Sequence, residues 1–454
     1  MAAPRIAGVR AAATLADLGF APVASGVIAR RRPVMALLER MQADSRAMTR
    51  MRRLRGEFGC GPVELVLPGR RIVIVTDPGD VGRVLAQAPT PFHPANREKR
   101  AALRQFQPHG VLLSEGPVRE RRRAVNEAAL DTGSPLHRLA EPFTETIADE
   151  AAVLIDTALR EGRLDAARFT TAWWRLVRRL VLGAAARDDD GITDDLWRLR
   201  SAANWSFLAL PHRRRRDRFF DGLYRYAESA QPDSLIGALA AAPADAAVDP
   251  VGQVPHWLFA FDAAGIALTR ALAVLATHPE QYARAREDAA HPDRPELRPY
   301  LRAAMVESVR LWPTTPTILR DITEPVTWRE GVDTAPGAAL MIAVPAFHRD
   351  PDLVPFADTF APEIWLDGRA GQYPQLVPFS AGPAECPGRN LVLFVTSTLL
   401  AHLLTAVDFT LTSHPRPTPA APLPLTFDNF RLDFAVAPAA MSEPGSGPVR
   451  GEQV

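Results

Sequence analysis

Residues 379–388 read Phe-Ser-Ala-Gly-Pro-Ala-Glu-Cys-Pro-Gly and enclose Cys386, one of only two cysteines in the chain. A long apolar run, Leu391–Leu404, follows directly. A single thiolate in a glycine-punctuated loop, leading into a buried helix, suits holding one metal from one side. Zinc and iron–sulfur centres need several cysteines or histidines at short spacing, and no such cluster exists here. One protein thiolate suffices only where a macrocycle supplies the remaining ligands. The bland alternative is an inert core cysteine, the usual fate of an isolated Cys. Glu307 and Arg310 stand three apart, on one helical face, where they can pair. Asp262 lies inside the apolar stretch 255–277, and a carboxyl in an apolar groove is a candidate proton carrier. Its plainer reading is a helix Asp bonded to a nearby arginine.

These side chains need a scaffold, and the pattern supplies a mainly helical one. Val63–Leu67 and Ile72–Thr76 flank Pro68-Gly69 and predict a β-hairpin. Asp77-Pro78-Gly79-Asp80 predicts a capped helix start. From about 116 to 310 the pattern is almost wholly helical, with loops near 132–135, 186–193, 208–217 and 241–254. Residues 255–277 predict a long central helix, apolar nearly all round and therefore buried. Further strands are predicted between Val326 and Val344 and near Phe427–Val436, around an irregular Pro- and Asp-rich stretch from His348 to Pro378. The expected fold class is mainly α with small β-sheets. Residues 1–60 form an N-terminal helical segment, 61–437 a single domain, and 438–454 a disordered tail.

Composition excludes several classes. With 53 basic and 52 acidic residues there is no global field for nucleic acid or an anionic membrane. Lys99 is the only lysine, so the positive charge is nearly all arginine; with abundant Ala and Pro this reads as a GC-rich bacterial coding bias. The apolar N-terminal stretch from Ala11 to Ile28 is interrupted by Asp17, Gly19, Pro22 and Gly26, short of the roughly 18–20 apolar residues a span requires. A soluble, cytoplasmic protein with no membrane span and no disulfide is expected.

The order of these signals resembles the cytochrome P450 family of haem-thiolate oxygenases over roughly residues 60–437. The cysteine loop resembles Phe-x-x-Gly-x-x-x-Cys-x-Gly. The resemblance implies that Cys386 binds the iron of haem b (iron protoporphyrin IX), that Phe379 packs beside the sulfur, and that Gly382 and Gly388 allow the tight turn and close backbone approach. Glu307 and Arg310 resemble the family's Glu-x-x-Arg, a structural pair. A third residue, usually Arg, joins that pair in the family, but Ile364 stands at its place in Phe360–Trp365. Arg119 and Arg123 resemble a His-x-x-x-Arg, and Arg320 another family site, all three implied partners of the haem propionates. Two departures flank the cysteine: Ala384 replaces the usual propionate-contacting Arg or His, and Pro387 has no N–H to offer the sulfur.

The central helix departs further. The family pattern is a small residue, Gly, any residue, an acid, then Thr. Counting back from His278-Pro279 puts the acid at Asp262, the Gly at Ala260 and the threonine at Ala263. A rival register uses Ala264-Gly265 and Thr269 and loses the acid. In the preferred register Asp262 is the implied catalytic proton carrier, while Ala263 cannot donate a hydrogen bond, so water, a substrate hydroxyl or peroxide must complete the relay. The implied function is a monooxygenase acting on a small apolar organic substrate, with electrons from a separate ferredoxin and ferredoxin reductase. A peroxide-driven peroxygenase, or a haem-thiolate coupling or rearrangement enzyme, is the alternative. Phe92, Trp205, Phe207, Phe259, Phe261 and the segment Asp428–Phe430 are candidate pocket residues. The run His212–Arg216 falls in a loop over the pocket.

Overall fold

The computed structural model describes residues 3–242 and 248–439, so most of the expected 438–454 tail lies outside the described residues. Helices dominate, and the longest are amphipathic or apolar stretches that pack on one another. The predicted hairpin forms as Val63–Leu67 and Arg70–Ile74, in antiparallel register about Pro68-Gly69. Asp77 caps the next helix, Pro78–Ala86, by accepting the Asp80 N–H at 3.0 Å.

That hairpin belongs to a six-stranded sheet whose strands, in spatial order, are 5–7, 63–67, 70–74, 339–343, 317–322 and 92–93. The edge strand Arg5–Ala7 pairs in parallel with 63–67. Residues expected to form a helical segment apart are thus built into the main sheet, and Arg52 and Arg55 clamp the buried Asp350 at 2.7 and 2.6 Å. A smaller sheet joins 407–411, 433–438 and 163–165. One apolar core lies among the helices, and a second packs the sheet against the N-terminal helices.

The central helix runs Val254–Leu275 and packs against the helices Ala166–Leu182, Pro299–Leu311 and Arg389–Ala406. Both it and Arg389–Ala406, the helix after the cysteine, are long and apolar enough to cross a membrane. Both are mostly buried inside the fold, as core helices are. The arginine run is not a loop: Arg213–Arg216 form the first turn of the helix Arg213–Glu228. The helix buries Phe219 and Leu223, and the Asp195 carboxylate holds Arg215 at 2.8 Å and Arg218 at 2.6 Å along it.

Candidate cofactor and substrate site

The cysteine loop is shaped by two residues in left-handed backbone, Ser380 (φ 62°) and Gly382 (φ 65°). A side chain at 382 would collide with the Leu85 carbonyl, so glycine is demanded by conformation and by contact at once. Gly388 differs: its φ is −90° and a Cβ there would meet only ordinary contact. Its N–H favours the anionic form of the Cys386 sulfur. The Cys386 N–H donates to Phe379 O at 3.0 Å, which ties the sulfur's backbone to the ring that packs on the core. Burial pushes the Cys386 thiol up, outweighing the Gly388 N–H and the positive charge of Arg123. The anionic form of that sulfur therefore needs a bound positive centre, as a metal ligand has.

Arg123 and Arg119 occupy one helix, Gly116–Ala129, and do different things. Arg123 pairs with Glu127 and donates to the Glu385 carbonyl at 2.7 Å, bracing the residue before the cysteine. Arg119 is buried, its Nε has no partner, and no carboxylate pairs with it among the described residues. Arg320, on the strand Thr317–Ile322, is also buried with an unpartnered Nε. Burial, then the charge of Arg119, lowers the Arg320 pKa to about 10. Two neighbouring buried guanidiniums without an acid call for an anionic ligand. With a half-buried thiol as the other donor, and no cluster of three or more metal-ligating side chains among the described residues, the set fits a metallated macrocycle carrying acid groups.

Along the central helix, burial lowers the His256 pKa to about 4, so this side chain is deep. Yet His256, Phe259, Ala260, Asp262 and Ala263 all keep open surface. These residues form the half-buried, open part of the helix. At about 100° per residue, 256, 259, 260 and 263 share one face. Gly265 lies opposite, and a Cβ there would stand 2.6 Å from the indole nitrogen of Trp173. Thr269 donates to the Gly265 and Ile266 carbonyls at 3.1 Å each. The rival register's Gly and Thr are thus occupied away from the open face, whereas Ala260 and Ala263 lie on it.

Asp262 is offset from that face, and its Oδ2 pairs with Arg200 at 2.5 Å. The Arg200 guanidinium is held in turn by the Ile28 carbonyl at 2.9 Å and lies over the Phe259 ring at 4.8 Å. Nothing in the local pattern of either segment announced this partner. Of the aromatic candidates, Phe259 is on the open face, while Phe92 packs on Trp328 and Phe261 on Trp173. Trp205 and Phe207 are exposed, beneath Arg31 and Arg97. Asp428 and Asn429 are buried, each with one unpartnered oxygen.

Glu307 and Arg310 are fully buried and joined by two bonds, of 2.6 and 2.7 Å. Arg310 also donates to the carbonyls of His348, Phe356, Ala357 and Thr359. Glu307 accepts from the Ala361 N–H and the Trp365 indole, both at 2.9 Å. Those two neutral donors serve the carboxylate where Ile364 replaces a third charged residue.

Comparison with known proteins agrees with this architecture. The Cytochrome P450 family model matches residues 260–428. Cytochrome P450 4A6 from rabbit (Oryctolagus cuniculus) is 30% identical over 157 residues, 32% of this chain and 30% of that protein. Beta-amyrin 24-hydroxylase from Glycine max is 33% identical over 30% of each chain. The alignments thus span about a third of these curated relatives' length. These and other similar proteins, from fly and human, are eukaryotic and lend no support to a bacterial origin. Among solved structures, the retinoic acid-bound cyanobacterial CYP120A1 superposes with a TM-score of 0.67 at 19% identity, covering 86% of this chain and 94% of that one. CYP102L1 gives 0.70 at 17% identity, covering 87% and 94%.

Proposed function

The chain belongs to the cytochrome P450 family, and from that premise we propose that it is a haem-thiolate monooxygenase placing one oxygen atom into an apolar organic substrate. The observation that carries this reading is the half-buried Cys386 sulfur, set by Gly382 and Gly388 in a loop that Arg123 braces. Cys386 would be the iron's protein ligand, and Arg119 and Arg320 would hold the acid groups of haem b. When bound, haem supplies oxygen activation, with the thiolate donating electron density.

The protein's own contribution is positioning and proton supply. Phe259, Ala260 and Ala263 would give a bound substrate an apolar wall, suited to a small apolar molecule. Asp262 would pass protons at its carboxylate toward the neighbouring open face, with Arg200 fixing its orientation. The Ala263 methyl offers no hydrogen bond, so a water or a substrate hydroxyl would be the last donor. Electrons would come from a separate ferredoxin and ferredoxin reductase. They would enter at the surface over the cysteine, where a cavity of about 320 Å³ is lined by Arg123, Glu127, Glu385, Cys386 and Arg389. A cytoplasmic location accords with this partner set. The missing hydroxyl at Ala263 also favours a second reading, peroxide-driven oxygenation.

The test is the carbon monoxide difference spectrum of the reduced protein. Wild type should give the thiolate-specific Soret band, and Cys386→Ser should lose it. A band that survives the substitution ends the proposal. Turnover with peroxide but not with oxygen plus a surrogate ferredoxin system would select the second reading.

A further inference from the structure

Lys99 lies in the short helix Arg97–Leu103, and its Nζ donates to the carbonyls of Pro94 at 2.8 Å and Leu319 at 2.9 Å. Arg320 Nη1 donates to that same Leu319 oxygen at 3.0 Å. Two cations thus converge on one neutral acceptor. The acids nearest Lys99 are committed elsewhere, and Glu127, on the Arg119 helix, takes Arg123. Asp321 takes Arg70 at 2.7 Å and the Arg97 N–H at 3.3 Å, and Glu98 takes Arg70 and the Asn96 amide. Among the described residues no carboxylate pairs with Lys99, Arg320 or Arg119.

The three form a chain of repelling charges. Burial first, and Arg320 second, hold the Lys99 amine well below the ordinary lysine range. Asp321 and Glu98 oppose that shift without cancelling it, and His93, on the strand Phe92–His93, is itself lowered by burial and by Arg119. Without an anion, such a cluster is tolerated only by shedding a proton, and lysine is the member able to do so. A dianionic ligand removes the conflict for all three.

We propose that Lys99 completes, with Arg119 and Arg320, the seat for the two acid groups of the macrocycle, taking the part of the cation that is missing at Ala384. Seating those acid groups draws one proton from solvent onto Nζ. This rests on the haem-thiolate reading and extends it to a residue outside the motifs.

Because the chain has one lysine, protein grown on 13C-lysine gives a single lysine Cε resonance. Its titration is followed in the diamagnetic ferrous–carbon monoxide form, loaded either with haem or with haem dimethyl ester, whose acid groups are capped. Haem-free protein is the reference if the ester does not load. The midpoint should be higher with haem by at least about 1 pH unit. Equal midpoints overturn the proposal. Lys99→Met should speed haem loss to apomyoglobin about tenfold and leave ester loss unchanged, with Lys99→Arg restoring retention. Equal acceleration of haem and ester loss would also overturn it. If Lys99→Met does not fold, the wild-type titration decides alone. An absent thiolate band in the haem-loaded protein fails the Cys386 reading and this proposal with it. An intact band with an unmoved midpoint fails this proposal only.

Discussion

Two buried arginine sites in this molecule are built on opposite plans. Arg310 is enclosed with Glu307, and four backbone carbonyls, one peptide N–H and one indole complete the pair's hydrogen bonds. Arg119 and Arg320 are also buried, yet each has an orphaned Nε and neither has an acid. The first site is finished by the protein itself. The second is left positive, a costly state that folding tolerates where an anion will occupy it. Completeness of pairing therefore separates a structural charge from a ligand-binding one, although the residue type and the burial are the same.

Charge removal should act with opposite sign at the two sites. Glu307→Gln leaves Arg310 buried without its counter-charge and should cost about 3–5 kcal/mol in chemical denaturation, with or without haem. Arg320→Met should not lower the denaturation midpoint of haem-free protein, because it deletes an uncompensated cation. The same variant should weaken haem retention about tenfold, or ~1.4 kcal/mol, in transfer to apomyoglobin. Loss of haem-free stability equal to that of Glu307→Gln would erase the distinction.

The smallest effect is a pH dependence beside the finished site. His348 is fully buried, its Nδ1 facing the Arg310 carbonyl at 3.1 Å and its Nε2 accepting the Val377 N–H at 2.9 Å. Burial, then Arg310, lowers its pKa to about 3. The unfolded chain therefore binds a proton near the ordinary histidine value of about 6.5 that the folded chain refuses. Stability from this group is full above that pH. It falls as pH drops through the window down to about 3, by roughly 1 kcal/mol per unit in its steep part. Replacing His348 by Gln should flatten the acid limb of a stability–pH curve; an unchanged slope would remove this assignment.

Local signals carried much of the fold and part of the site. Pro68-Gly69 between β-branched runs, the Asp77 cap and the three-residue spacing of Glu307 and Arg310 are short-range facts, and each element formed accordingly. The Arg213–Arg216 run suggests a loop by its own charge density, yet it opens a helix whose apolar face, Phe219 and Leu223, is buried only by packing on other elements. Trp205 and Phe207 resemble pocket aromatics by residue type alone, and the fold puts them on the surface.

Sequence by itself determined the chemistry on offer: one thiol in a glycine-built turn, positive charge carried almost wholly by arginine, and a central helix with alanine at position 263. Tertiary structure decided the partners. Arg200 meets Asp262 across 62 positions, Lys99 meets Leu319 across 220, and Trp365 reaches Glu307 across 58. Helical and strand periodicities extend over a few residues, so they report which face a side chain occupies. They hold no information on which distant face will be packed against it.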